Sequence, residues 1–249
     1  SQVMLMLLLW EALPHLVTLG AGTKMYFTTP SRVSATLWHM IVTGSLWAPL
    51  GVSAAGFAVG LLFSIAVGLP LGVLLGRSRT LNAMLDPFIT AFNATPRLVF
   101  LPLLMLWFGL GIWSKVALGV TLVFFIVFFN VYQGVKEVSP TVLANARMLG
   151  MNDRQLMRHV YWPSALSWMF SSLHTSVGFA VVGAVVGEYL GSAAGLGYII
   201  QQAEGVFDVA GVFAGMFVLA VFVVAIDWIV TLVENRLLVW RPAVAETRT

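Results

Sequence analysis

Apolar residues fill this chain in long runs, and short polar segments separate the runs. A helix rises 1.5 Å per residue, so about 20 apolar residues in succession cross a hydrocarbon core. Six stretches fit that reading: residues 3–19, 50–76, 85–109, 115–134, 166–190 and 210–234. The first is interrupted by Glu11 and Pro14. The third carries Pro87, Pro96 and Pro102, which predict a kinked or broken span. Between the fourth and fifth runs lies a polar island, LANARMLGMNDRQLMRHVYWP at 143–163. It is too polar for lipid and too long for a hairpin, so it predicts a folded, water-facing element that touches something outside the chain.

The island has its own pattern. Pro140 opens a helical run with Leu143, Ala146 and Leu149 at helical spacing, and Gly150 supplies the left-handed turn that helix ends often need. Asn152 or Asp153 can cap a second helix with Leu156, Met157 and Val160 on one face, and Pro163 is expected to stop it. The prediction is a helix–turn–helix bracket within a loop at 135–165. Residues 33–47 carry Val33, Leu37, Met40, Ile41, Leu46 and Trp47, with Trp38 and His39 between them. They read as an amphipathic helix at an interface, where tryptophan prefers to sit, or as a packed loop.

Composition narrows the class. Hydrophobic residues make up 59% and charged residues 9%, against about a quarter charged in soluble domains, so the chain is read as an all-α polytopic membrane protein. The absence of cysteine excludes disulfides, thiolate metal sites and cysteine nucleophiles. With no lysine-rich tail, nucleic acid is not an expected partner. No basic n-region or small-residue cleavage site opens the chain, so it does not resemble a cleavable signal, and a short N-terminal tail is expected to precede it.

The placement of basic residues orients the spans. With the N-terminus inside, the inner segments hold Arg77, Arg79, Lys136, Arg147, Arg154, Arg158, Arg236, Arg241 and Arg248. The outer face holds only Lys24, Arg32 and Lys115. Both termini and the island are therefore expected in the cytoplasm.

Small residues recur every four positions along the second span, at Gly56, Gly60, Ser64, Gly68, Gly72 and Gly76, and again at Gly183, Gly187, Gly191 and Gly195. Such ladders let helix backbones approach closely, either within the chain or at a dimer seam. No internal repeat stands out, which argues against a secondary transporter built from two halves. A pathway would then lie most naturally between two copies.

Ionisable residues inside spans are candidates for function. Arg97, after Pro96 in the broken third span, offers a positive field to an anion, or else pairs with Asp86 or snorkels to the interface. Glu188 ends the fifth span and is expected to face an outer vestibule, or else to be an exposed helix-end carboxylate. Asn93, Thr95, Asn130, Gln133, His174, Thr175 and Ser176 could line a polar route. His174 could equally bond a neighbouring helix, and Asp227 and Glu11 could pair with waters or basic groups. None of these resembles a metal site or a nucleophile–base pair, so no metal and no catalytic residue is assigned. The chain also carries no phosphate-cradling Gly-x4-Gly-Lys-Ser/Thr loop.

The spacing of the island resembles the EAA loop of ATP-binding-cassette importer permeases. That pattern is Glu-Ala-Ala, three residues, Gly, nine residues and Ile-x-Leu-Pro. Here it stands as Ala144-Asn145-Ala146, Gly150 and Val160-Tyr161-Trp162-Pro163. Ala144 replaces the glutamate, Asn145 the second residue and Trp162 the leucine. Asp86-Pro87, Ala94-Thr95-Pro96-Arg97 through Leu101-Pro102, Trp107-Phe108-Gly109 and Gly111 are similar to the nitrate/sulfonate/taurine-type permeases. So are Gly187-Glu188 and Ala194-Gly195-Leu196-Gly197-Tyr198-Ile199-Ile200.

The resemblance implies one permease domain over residues 1–249 with the type I importer (MetI-like) fold, about six transmembrane helices and a cytoplasmic coupling helix. It implies a multi-pass protein of the bacterial inner membrane and a homodimeric permease. The implied partners are two ATPase subunits, which bind ATP and Mg, and a periplasmic or lipid-anchored solute-binding protein. Ala144, Asn145, Ala146, Arg147, Gly150, Asp153, Arg154, Leu156, Arg158 and Pro163 would couple to the ATPase. ATP hydrolysis would belong to that partner and not to this chain. The implied substrates are small organic or inorganic anions such as sulfonates, nitrate or taurine.

Two other classes stay open on the residues alone. An ion-coupled secondary carrier would need a carboxylate or histidine relay, for which Glu11, Asp227 and His174 are the candidates. An energy-coupling-factor transmembrane subunit would use Ala-Arg coupling helices, which Ala146-Arg147 superficially fits, but in two longer copies.

Overall fold

The computed structural model describes residues 2–16 and 27–237, and these are helical with no strand among them. Helix α1 is Gln2–Leu16 and α2 is Pro30–Val42. The long helix α3, Trp47–Arg77, is followed by α4, Arg79–Ala94. A 3-10 turn at Arg97–Phe100 leads into α5, Leu101–Phe108, and α6 runs Ile112–Lys136. The island forms α7, Pro140–Met148, and α8, Asp153–Leu156, then a π-helical turn at Met157–Tyr161. Helix α9 is Trp162–Gly191, α10 is Leu196–Gly205 and α11 is Val209–Leu237.

Four continuous helices are long and apolar enough to cross a membrane: α3, α6, the unbroken Asp153–Gly191 rod and α11. A fifth crossing arises if α4 and the Arg97–Phe108 segment count as one span, bent by 85°. The break falls at Thr95-Pro96, where the missing N–H and fixed φ of proline end a helix. The described residues thus supply four or five spans rather than six. Their first helix, α1, is described over 15 residues. The rest of the expected first span, together with Lys24, Arg241 and Arg248, lies outside the described residues.

The chain divides into two compact units. One comprises Ser1–Ala58, Leu101–Leu118 and Val181–Val223. Its core joins Val33 and Met40 of α2 to Leu46, Leu196 of α10 and Ala214 of α11. Helix α2 is therefore packed along one face, while Trp38 and Val42 stand exposed on the other. It begins at Pro30, whose missing N–H costs nothing at a helix start, and it ends before Leu46 and Trp47 at a turn where Gly44 has φ +77°. Within the same unit Trp10 Nε1 donates to the Thr28 carbonyl at 3.0 Å, and its ring meets Phe213 at 5.3 Å.

The other unit comprises Val59–Phe100, Gly119–Ala180 and Val224–Thr249. Here the glycine ladder of α3 has an intramolecular use. A Cβ on Gly68, Gly72 or Gly76 would stand 3.3, 2.7 or 2.8 Å from Val127, Val131 and Val135 of α6. The valines are buried. Two ladders of period four interlock, so α3 and α6 come closer than any side chain at those positions would allow. Phe124, Phe128 and Tyr132 stack along α6 at 5.8 and 6.1 Å.

Candidate functional site

The bracket is built from short-range hydrogen bonds. Helix α7 ends in a full Schellman closure: Gly150 N–H donates to the Arg147 carbonyl at 3.0 Å, and Met151 N–H to the Ala146 carbonyl at 3.1 Å. Gly150 sits at φ +79°, with nothing within 4 Å of where a Cβ would be. The constraint there is conformational, not steric. Asn152, not Asp153, caps α8. Its Oδ1 accepts from Gln155 N–H at 2.9 Å while Gln155 Oε1 accepts from Asn152 N–H at 2.8 Å, a complete capping box.

Pro163 does not stop the second helix. The rod continues through it into α9. A proline clashes with the carbonyl four residues back and leaves it unbonded, here that of His159. The π turn at Met157–Tyr161 lies over that carbonyl, and widening the helix there accommodates the ring.

Of the residues expected to couple, Ala146 and Leu156 are buried, at 6% and 2% exposure, and anchor the bracket. Ala144, Asn145, Arg147, Asp153, Arg154 and Arg158 are exposed, and Pro163 is partly covered. Arg77, at the end of α3, reaches Asp153 at 3.0 Å. No ion pair involves Arg147, Arg154 or Arg158 among the described residues.

The pathway candidates fall into separate groups. Arg97 pairs with Asn93 rather than with Asp86. Its guanidinium donates to Asn93 Oδ1, lies 3.5 Å from the Leu122 carbonyl and stands 5.0 Å over the Phe125 ring. Its Nε is buried with no acceptor among the described residues. Thr95, Asn130 and Gln133 bond within their own stretch of chain, to the Ala91 carbonyl, the Ile126 carbonyl and Glu137 Oε1 at 3.0, 2.8 and 2.8 Å. Thr175 is exposed, and Ser176 is fully buried with no partner for its hydroxyl among the described residues.

His174 lies between two carboxylates of α11. Its Nδ1 is 2.6 Å from Asp227 and its Nε2 3.1 Å from Glu234. The acids are seven residues apart, two turns along one helix face. That spacing beside a lone intramembrane histidine is the signal by which the trio could have been read from the sequence. Glu11 turns to Ser31, accepting from its backbone N–H at 3.1 Å and its hydroxyl at 2.7 Å.

Glu188, expected in an exposed vestibule, is instead fully buried in the first unit, with 0% exposure. The Ser53 hydroxyl lies 2.7 Å from its Oε2, and Gly197 N–H donates to the same oxygen at 3.0 Å. Leu196 N–H in turn donates to Ser53 Oγ at 2.8 Å. Glu188 and Ser53 therefore satisfy the first free N–H groups of α10, where the helix dipole also favours an anion. Gly195, at φ +115°, makes the turn into it. Lys115, read above as an outer-face charge, is buried beside this turn and donates to Ser192 Oγ and the Ala194 carbonyl.

These features define an all-helical, multi-span membrane protein with a rigid polar bracket projecting between two of its spanning helices. Residues 68–239 match the family of binding-protein-dependent transport system inner membrane components. The chain is 34% identical over 223 residues to an aliphatic sulfonates transport permease protein of Bacillus subtilis, covering 90% of this chain and 81% of that protein. It is 31% identical over 238 residues to the riboflavin transport system permease protein of Chloroflexus aurantiacus, covering 96% and 88%. In fold it is similar to the inward-facing MetNI methionine ABC transporter, with a TM-score of 0.65 at 18% identity over 76% of this chain and 94% of that one. The chain belongs to the family of binding-protein-dependent transport system inner membrane components, the permease subunits of ABC importers.

Proposed function

We propose that this permease works as a homodimer whose substrate pathway runs between the two copies, driven by two separate ATPase subunits and loaded by a solute-binding protein. Both termini and the α7–α8 bracket lie in the cytoplasm, and the membrane is the bacterial inner membrane. The bracket is the coupling element: closure of the ATPases on ATP draws the paired brackets together and switches the pathway from inward- to outward-facing. ATP and Mg are bound by the partner. The observation that carries this reading is the bracket itself, exposed yet rigidly closed at Gly150 and continuous with α9.

The substrate is a small anion of the sulfonate kind. Support comes from Arg97, a span charge that pairs with an amide and forms no ion pair among the described residues, and from the sulfonate permease relative. The riboflavin relative shows that permeases of similar sequence serve other substrates.

Co-purification tests the assembly. The tagged permease co-expressed with its ATPase is expected to elute as a complex of two permeases and two ATPases. A permease that elutes alone and transports in ATP-free vesicles would sink the reading and favour an ion-coupled carrier.

A further inference from the structure

His174 of α9 is bonded at both edges of its ring, and both partners are carboxylates of α11. Nδ1 lies 2.6 Å from Asp227 and Nε2 lies 3.1 Å from Glu234. An ionised carboxylate only accepts, and a neutral imidazole has a single N–H to give. Two such contacts therefore require one proton more than a neutral ring and two carboxylates hold. That proton belongs to the three coupled groups together. The acids sit on opposite edges of the ring, so the trio has no common point for a metal ion, and no metal-holding cluster is found among the described residues.

With the proton in place, a cation stands between two anions and ties α9 to α11 by two charge-assisted hydrogen bonds. Without it, one ring nitrogen turns a lone pair towards a carboxylate, and nothing positive separates the two acids. One side of the tie then repels.

The faces around the trio are polar, which gives the proton a route to water. On α9, Ser171, His174, Thr175 and Gly178 recur at helical spacing and leave one face without a large apolar side chain. On α11, Asp227, Thr231 and Glu234 form a matching line. The side chains of His174 and Asp227 are 39% and 47% exposed, and charged groups at membrane depth face protein or water rather than lipid. Other charges stand further off. Helix α9 adds no titratable residue within two turns of His174. Helix α6 runs antiparallel to α9, with Gly134 at Ser164 and Gly119 at Ala180, and carries no titratable residue from Val116 to Val131. Arg97 approaches α6 at Leu122 and Phe125, and Arg236 lies two residues beyond Glu234, on another side of α11.

We propose that His174 is a positioning residue switched by a proton: the protonated trio clamps α9 to α11, and loss of the proton releases them. Helix α9 is one rod with the second half of the bracket, Asp153–Gly191. The consequence for transport rests on the functional reading above. A clamped α11 moves with the rod, so uptake per ATP hydrolysed falls as the pH rises.

The first test needs no partner. Unfolding temperatures of the wild type and of His174→Gln are measured in detergent from about pH 6 to about pH 9, through the range where histidine titrates. The clamp stabilises the fold while the proton is bound and ceases to do so as the pH rises. The wild type should therefore unfold at the higher temperature near pH 6, and the gap should close towards pH 9. Asp227→Asn should show the same closing gap, because its amide can donate to a neutral ring and no extra proton is needed. It keeps the test decisive if His174→Gln does not fold. The second test is uptake per ATP hydrolysed, in vesicles that hold the permease, its ATPase and its binding protein. Over the same range the wild-type ratio should fall about threefold, the worth of a charged hydrogen bond reduced by solvent screening. In His174→Gln the ratio should stay flat.

A gap in unfolding temperature that does not change with pH overturns the switch and leaves two ordinary hydrogen bonds. A closing gap beside a flat wild-type uptake ratio overturns the positioning role in transport. Wild-type uptake without ATP overturns the functional reading instead, and the unfolding temperatures still decide the clamp.

Discussion

Arg97 carries a full charge in the broken span with Asn93 as its side-chain partner. A cation in such a place with no ion pair among the described residues is costly unless something anionic visits it. Arg97→Gln should therefore slow uptake of an anionic substrate about ten- to a hundredfold, the worth of one charged hydrogen bond. Arg97→Lys should retain part of the rate. Uptake that is unchanged in Arg97→Gln would remove Arg97 from the pathway. The charge itself was legible in the sequence, because an arginine inside an apolar run stands out. Its partner was not, since Asn93, one turn away, and Asp86, three turns away, are both plausible along a helix. Helical spacing marks which apolar residues share a face, but not whether anything covers that face.

At the scale of elements, most helices were readable and their ends were not. Proline and glycine supplied the punctuation at Pro96 and Gly150. At Pro163 the rule failed, because the π turn at Met157–Tyr161 carries the helix through the proline. The ladder at Gly68, Gly72 and Gly76 was visible as a groove, and only the structure names Val127, Val131 and Val135 as what fills it. Glu188 shows the same limit: a carboxylate at a helix end reads as exposed until a second helix starts against it. Helix α10 starts there, and Glu188→Ala would leave the Gly197 N–H and the Ser53 hydroxyl buried without an acceptor. Each such group costs about 1–3 kcal/mol, so a clearly lower unfolding temperature in detergent is expected. Glu188→Gln, which keeps one acceptor oxygen, should fall less. An unchanged unfolding temperature in Glu188→Ala would show that α10 is held by other contacts.

For the whole molecule, the membrane class followed from composition and the family from the spacing of the island. The break between α4 and α5 was marked by Pro96, but its 85° angle was not, because hydropathy alone cannot say how far a helix bends. The bracket is the feature on which the functional account turns, because it joins an exposed, rigid surface to a spanning helix without a break. Its weak point is Gly150. Valine there has open space around it, yet a β-branched residue at φ +79° is strained by about 1–2 kcal/mol, and the turn would give way rather than the packing. The decisive measurement is ATP hydrolysis and substrate uptake, recorded together in vesicles that hold the permease, its ATPase and its binding protein. Wild-type uptake should require ATP, and Gly150→Val should hydrolyse ATP while its uptake falls at least tenfold. Uptake by Gly150→Val at the wild-type rate, or wild-type uptake without ATP, would contradict the account.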